Sequence, residues 1–162
     1  MFRRNALQSV LILATAALLG ACASAPTSRT LSGTVADTKG LSTFQQLVAE
    51  AGLAGTLEGA APYTVFAPSD AAFQTVPAKT LAALKADKAQ LKAVLSYHIV
   101  PGALAAADLK AGNLKTLQGA NVAVSRAGTF VTVEDAMVEQ ADLRASNGVV
   151  HVIDRVLMPP KK

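Results

Sequence analysis

About halfway along this sequence the spacing of apolar residues changes, and that change limits the fold more than any single residue does. Between Ser42 and Leu95 apolar side chains recur three and four positions apart, as Phe44, Leu47 and Val48, then Leu81 and Leu84, then Leu91, Val94 and Leu95. One face of a helix turns with that period, so each run predicts a short amphipathic helix. Ser42 with Gln45, and Asp87 with Gln90, are capping-box pairs that open two of them. Pro77 opens the third, and Gly52 closes the first. Tyr63-Thr64-Val65-Phe66 is β-prone and stops at Pro68, after which Ser69 leads into a helical turn through Phe73. From Tyr97 onward the β-prone runs are 97–100, 114–117, 121–125, 129–134 and 149–156, separated by Gly102, Gly119, Gly128 and Asn147-Gly148. Helices early and strands late predict an α+β fold with a mostly antiparallel sheet or sandwich.

The first residues have a different character. Arg3 and Arg4 precede an apolar stretch, Val10 to Leu19, broken only by Thr15. That stretch is about half the ~20 residues a helix needs to cross a bilayer, so it reads as an export signal and not as a permanent span. Leu19-Gly20-Ala21-Cys22 resembles the bacterial lipobox, in which the chain is cut ahead of a cysteine that then receives diacylglycerol. The other reading is an ordinary signal cut near residues 21–25, with Cys22 a spare thiol. Ala23 and Ser24 follow, not Asp, which by the same resemblance directs the lipoprotein to the outer membrane, facing the periplasm or the cell surface. The expected organisation is a signal peptide over residues 1–21, a small polar tether over 22–32 and one folded domain over 33–160. Cys22 is the only cysteine, so no disulfide forms within the chain and no all-cysteine metal site exists.

Fifteen Lys and Arg stand against 11 Asp and Glu, a formal charge of +4. Arg3, Arg4, Lys161 and Lys162 equal the whole surplus, so the body of the protein is neutral. With 4% aromatic residues and no Trp, it offers neither a phosphate-neutralising face nor a stacking platform, which excludes nucleic acid as the expected partner. Lys85, Lys88 and Lys92 read as a solvated helical face. His98 and His151 lack zinc-motif spacing, and residues 52–59 lack the Gly-Lys-Ser/Thr ending of a phosphate loop, so no metal or cofactor is expected. Ser69, His98 and Asp154 are the residue types of a hydrolase triad, but Ser69 sits in no Gly-x-Ser-x-Gly elbow. No enzymatic role is expected.

Three stretches resemble the signatures of one family. Thr64-Val65-Phe66-Ala67-Pro68-Ser69-Asp70-Ala71-Ala72-Phe73 is similar to the first signature of the fasciclin domain. Leu95-Ser96-Tyr97-His98-Ile99-Val100 is similar to its central Tyr-His element, and the segment from Asn147 through Val149, His151 and Asp154 to Leu157 to its closing signature. Their order and separations fit one complete copy. The resemblance implies a wedge of mostly antiparallel β-sheets with several helices packed around it, and a role outside the cytoplasm in adhesion to proteins, polysaccharide, matrix or cell surfaces. In animal relatives the Tyr-His region is linked to integrin binding. What carries over to Tyr97 and His98 is the region, not that partner. The competing reading is a periplasmic carrier or sensor of a small apolar ligand.

The motif residues also have physical readings of their own. Val65, Phe66 and Phe73 suit a core, Pro68 ends a strand, and Ser69 or Asp70 satisfies orphan N–H groups of the next helix. Asp70 is alternatively an exposed acidic contact. Neighbours in a strand face opposite sides, so Tyr97 and His98 are expected to divide, with His98 a hydrogen-bonded interior histidine and Tyr97 the contact residue. His151 shares a strand face with Val149 and Ile153 and reads as half-buried framework. Asn147-Gly148 suits a tight turn, and Asp154 a tie between the strand end and a nearby N–H. The lipobox generates one test: Cys22→Ser is expected to move the protein from the membrane to the soluble fraction and to abolish metabolic palmitate labelling, and an unlabelled wild type that stays membrane-bound would overturn the anchor.

Overall fold

The computed structural model describes residues 29–160; the signal segment and Cys22 lie outside the described residues, as do Lys161 and Lys162. In chain order the elements are α1 (Leu31–Asp37), α2 (Ser42–Glu50), α3 (Ala54–Glu58), β1 (Tyr63–Pro68), α4 (Asp70–Thr75), α5 (Ala78–Ala86), α6 (Lys88–Tyr97), β2 (Ile99–Pro101), β3 (Gly112–Lys115), β4 (Asn121–Ala127), β5 (Phe130–Val133), β6 (Ala136–Ala145) and β7 (Gly148–Ile153). The α+β class and the change from helices to strands are as the apolar spacing predicts. The domain begins earlier than expected. Thr30 caps α1 by accepting from the Gly33 N–H, and Leu31 and Val35 are buried, so the end of the expected 22–32 tether is part of the core.

The strands form a sheet in the order β2-β1-β7-β6-β5-β4-β3, in which β1–β7 is parallel and every other pair antiparallel. The sheet curls, because the Leu117 N–H donates to the Ile99 carbonyl at 2.7 Å and so ties the turn after β3 back to β2 at the opposite edge. Curling gives the sheet two apolar faces to fill. On one side Phe44, Leu47 and Leu57 of the helices meet Val65, Ala67, Val150 and Val152; on the other, Phe66 and Ile153 meet Val122, Val124, Val131 and Val133 inside the curl. The central pair therefore alternates between two dry environments, and all six residues of β7 are buried. Burial on both faces is the usual condition of parallel strands, and it explains why β1 and β7 read as continuous apolar runs.

Three elements are absent from the sequence reading. α1 and α3 are seven and five residues long, too short for a period to register, and packing of Leu31, Val35 and Leu57 holds them. β6 is ten residues long but carries Glu139-Gln140-Ala141-Asp142 in its middle, where its register against β7 shifts and Asp142 takes φ 60°. A bulged, half-solvated strand has no clean alternation to read.

One glycine sets the distance between the central strands. At Gly148, opposite Tyr63 in the parallel register, an added Cβ would fall on the Tyr63 carbonyl oxygen and press on Leu31. Gly40 has φ +84° but open space around it, so it separates backbone preference from collision. Gly148→Ala is expected to lower unfolding free energy by about 3 kcal/mol in urea titrations, against about 1 kcal/mol for Gly40→Ala. Equal losses would show that φ alone makes the position glycine.

Candidate functional site

The Tyr97-His98 step lies where α6 ends. α6 is capped at its start by Asp87, whose carboxylate accepts from the Ala89 and Gln90 N–H groups, and it runs through Tyr97, with His98 as its C-cap. Both residues point inward. Tyr97 is 3% exposed and His98 fully buried, so the expectation that Tyr97 is an outward contact residue is corrected. The opposed directions are real, but each side of the step has its own core: Tyr97 packs inside the curled sheet, and the His98 ring lies 6.2 Å from that of Phe44 on the helical side. Residues 97–100 are buried throughout, so they form no exposed apolar patch.

The Tyr97 phenol lies 3.0 Å from the Asn121 carbonyl and 3.2 Å from a Glu134 carboxylate oxygen, and donates into that pair. Burial, followed by the Glu134 charge, pushes its pKa up to about 12. Glu134 also accepts from the Ala123 N–H and takes φ 56° at the β5–β6 turn. Sequence reasoning did not single it out, since Glu134-Asp135 between two β-prone runs signals only a turn.

The two histidines are held as opposite tautomers. The Leu157 N–H donates to His98 Nε2 at 3.0 Å, so the ring proton is on Nδ1, which donates to the Val94 carbonyl at 2.8 Å. At His151 the Asp142 N–H donates to Nδ1 at 3.2 Å, and Nε2–H donates to the Leu104 carbonyl at 2.9 Å. Each ring thus uses both nitrogens on backbone groups, in a way only neutral imidazole can. Burial pushes the His98 pKa down to about 4 against the pull of its Val94 bond, and lowers that of His151 against Leu104 and the Asp142 charge. His151 is wholly buried, not half-buried, because β7 has apolar layers on both sides, and its ring stacks 5.7 Å from Phe66.

The other motif residues are also engaged with the frame. Ser69 caps α4 by accepting from the Ala72 N–H at 3.2 Å. Asp70, inside α4, reaches to another helix: α2 has the apolar residue Leu41 at its N-cap, and Asp70 accepts from the Thr43 N–H and the Ser42 hydroxyl, both at 2.7 Å. Burial raises the Asp70 carboxyl, but these hydrogen bonds outweigh it and hold the pKa below its ordinary value. Thr64 donates to the Gly102 carbonyl and accepts from the Leu104 N–H, fastening the loop after β2. Asn147 is more than a turn residue, since its amide accepts from the Leu31 N–H and donates to the Leu57 and Gly59 carbonyls, joining α1 and the end of α3 to the start of β7. Asp154 accepts from the Met137 N–H at 2.7 Å, Phe66 and Phe73 are buried, and Pro68 ends β1. Ser69, His98 and Asp154 each bond to backbone in a different place, so the structure does not assemble them as a triad. Among the described residues no cluster of three or more His, Cys, Asp or Glu is placed to hold a metal ion, and no helix is long and apolar enough to cross a membrane.

The exposed large apolar side chains lie elsewhere. Phe130 is 63% and Met137 43% exposed. Thr132 pairs with Met137 across β5 and β6, and Phe130 lies two residues from Thr132, so all three share the outer face of the sheet. A second surface feature is an open groove bordered by α5, α6 and residues 158–160.

Comparison with known proteins gives a consistent result. The fasciclin domain family model matches residues 39–159. The chain is 41% identical over 126 residues to protein sll1483 of Synechocystis, covering 75% of this chain and 70% of that protein. It is 40% identical over 108 residues to the cell surface glycolipoprotein MPB83 of Mycobacterium bovis, covering 67% of this chain and 48% of that one. A FAS1 domain pair from the insect cell adhesion molecule fasciclin I superposes with a TM-score of 0.65 at 18% identity, over 82% of this chain and 52% of the pair, which shows a shared fold.

The tautomers generate a pH prediction. Because the folded pKa of His98 lies below its ordinary 6.5, the unfolded chain binds the extra proton first as pH falls. The stability due to the neutral ring is full above about pH 6.5 and is lost progressively toward pH 4, by about 3 kcal/mol in all. His98→Gln, which keeps a donor and an acceptor without titrating, is expected to give a shallower decline over that window in denaturant titrations. An unchanged slope would place the pH dependence elsewhere.

Proposed function

The chain belongs to the fasciclin domain family, and from that premise we propose that it is an extracytoplasmic interaction module, tethered to a membrane through lipid on Cys22, that contacts protein or polysaccharide at a cell surface or matrix. The observation that carries this reading is the use of the signature residues. Thr64, Ser69, Asp70, Tyr97, His98, Asn147, His151 and Asp154 all satisfy groups within the domain, so they build a frame and leave recognition to the outer surface. The relatives support the setting: one is a cell surface glycolipoprotein, and the solved domain pair comes from a cell adhesion molecule. The carrier alternative calls for an enclosed cavity of roughly 300 Å³ or more, whereas the groove beside α5 and α6 is open.

The contact face on this reading is the outer surface of β5 and β6. Phe130 is the most exposed large apolar side chain among the described residues, Met137 shares its face, and Thr132 supplies a hydroxyl between them. Phe130→Asp is expected to lower attachment of protein-coated beads to cells or extracted matrix at least fivefold, with an unchanged melting temperature. Equal attachment by the variant would remove this face from the reading, and no attachment by wild type would remove the adhesive role itself.

A further inference from the structure

The β1–β7 pair fixes two adjacent residues for unrelated reasons. Position 148 takes no side chain, since a Cβ there would fall on the Tyr63 carbonyl oxygen. Position 147 needs one acceptor and two donors on a short stem. Its Oδ1 accepts from the Leu31 N–H at 2.8 Å, and its Nδ2 donates to the Leu57 and Gly59 carbonyls at 2.8 and 2.6 Å. Only the Asn amide offers that set at that length, because an ionised Asp has no donor and Gln is one methylene longer. The result is an Asn-Gly step, and of the four asparagines in the chain only Asn147 precedes a glycine. That step has a chemistry of its own. With no Cβ beside it, a glycine nitrogen is the least hindered backbone nucleophile an asparagine side chain can meet.

In the folded domain the three side-chain bonds oppose that reaction. Ring closure swings Cγ of Asn147 onto the Gly148 nitrogen, which takes the amide off Leu31, Leu57 and Gly59 together, and the Asn147 carbonyl is itself held by the Tyr63 N–H at 3.2 Å. The partners belong to two short helices outside the sheet. Leu31 opens α1, Leu57 lies in α3, and Gly59 is the C-cap of α3. α1 is tied a second time at the next residue back, where the Ser146 N–H donates to the Arg29 carbonyl at 2.7 Å. Release of α1 therefore frees Asn147 without separating β1 from β7, and a local opening of this kind costs less than global unfolding.

We propose that Asn147 is a site of spontaneous deamidation gated by the docking of α1, and that its products cannot be seated again. With α1 away, the Gly148 nitrogen gives up its proton and attacks Asn147 Cγ; the new C–N bond closes a succinimide and ammonia leaves. Water then opens one of the two ring carbonyls, giving aspartate or isoaspartate at position 147. Aspartate keeps an acceptor for the Leu31 N–H but sets a carboxylate against the Leu57 and Gly59 carbonyls. Isoaspartate also lengthens the backbone beside Gly148, which must stay in register with Tyr63. Neither closes the clamp, so each cyclisation removes a molecule from the folded pool. This does not depend on the attachment surface of β5 and β6.

The test incubates the purified chain in mildly alkaline buffer, folded or in urea, and maps its peptides by mass for the amide-to-acid change at position 147 and by isoaspartyl methyltransferase labelling for isoaspartate. Modification is expected to be faster in urea by about tenfold or more. Val35→Ala, which thins the buried packing of α1, is expected to speed modification of the folded chain by about fivefold or more, while Val124→Ala, the same truncation inside the curl, changes it by less than about twofold. Asn147→Asp, which stands for the product, is expected to melt about 5 °C or more below the wild type. Equal rates in the folded and urea-unfolded chain would show that the clamp shields nothing. Equal acceleration by the two valine variants would put the gate in global unfolding, and a wild-type melting temperature for Asn147→Asp would show that the product is seated again. Any of the three overturns the proposal.

Discussion

The parallel pairing of β1 with β7 is the constraint on which the rest of the structure depends. It brings the first and last signatures of the chain together over six residue pairs, from Tyr63 with Gly148 to Pro68 with Ile153. Because both strands are buried on both faces, every polar group they carry must find a partner inside the domain. The strands supply Thr64 and His151, and the flanking residues supply Ser69, Asn147 and Asp154. Each holds a loop, a helix end or a neighbouring strand against the pair. The sequence separation of these contacts is large, with Asn147 reaching back 116 residues to Leu31. Forming the pair closes most of the chain into one loop, so the domain gains little from it until the flanking hydrogen bonds and both cores are in place. The residues of the first and last signatures are thus far apart in the chain but act on one seam.

Asp70 illustrates how such a frame replaces local rules with tertiary ones. Ser42 and Gln45 carry the sequence signature of a capping box, yet Ser42 is the first helical residue of α2 and the position before it is Leu41. Leu41 has no exposed surface, because the core needs an apolar side chain there. The orphan N–H of Thr43 is satisfied from another helix by Asp70 instead. The arrangement couples the start of α2 to the start of α4, and it uses an acidic side chain at a helix N-terminus, where the peptide dipoles favour negative charge. A lost cap of this kind costs about 0.5 to 2 kcal/mol.

Much of the fold was legible because periodicity reports burial directly. α2, α6, β1 and β7 bury a defined set of positions, and their apolar residues recur accordingly. β6 was not legible because its irregular middle serves a loop: Asp142 turns its N–H to His151 and its carboxylate to the Ala106 N–H, at the expense of regular pairing. The Tyr97-His98 step was legible as two opposed directions but not as two interiors. Alternation says that neighbours diverge, and only the curl of the sheet decides that both directions lead into a core. Glu134 and Asn121, the partners of the Tyr97 hydroxyl, lie 37 and 24 residues away and carry no local signal.

A frame that uses its recognisable residues internally separates recognition of the family from recognition of its partners. The polar groups that make the sequence identifiable are buried or half-buried and hydrogen-bonded within the domain, so substituting them acts first on stability. The exposed large apolar side chains Phe130 and Met137, on the outer face of β5 and β6, belong to no signature and can vary without disturbing the β1–β7 seam. The neutral His98 ring joins α6 to the terminal segment, donating to the Val94 carbonyl and accepting from the Leu157 N–H, so that tie, like the seam, rests on a group with no exposed surface.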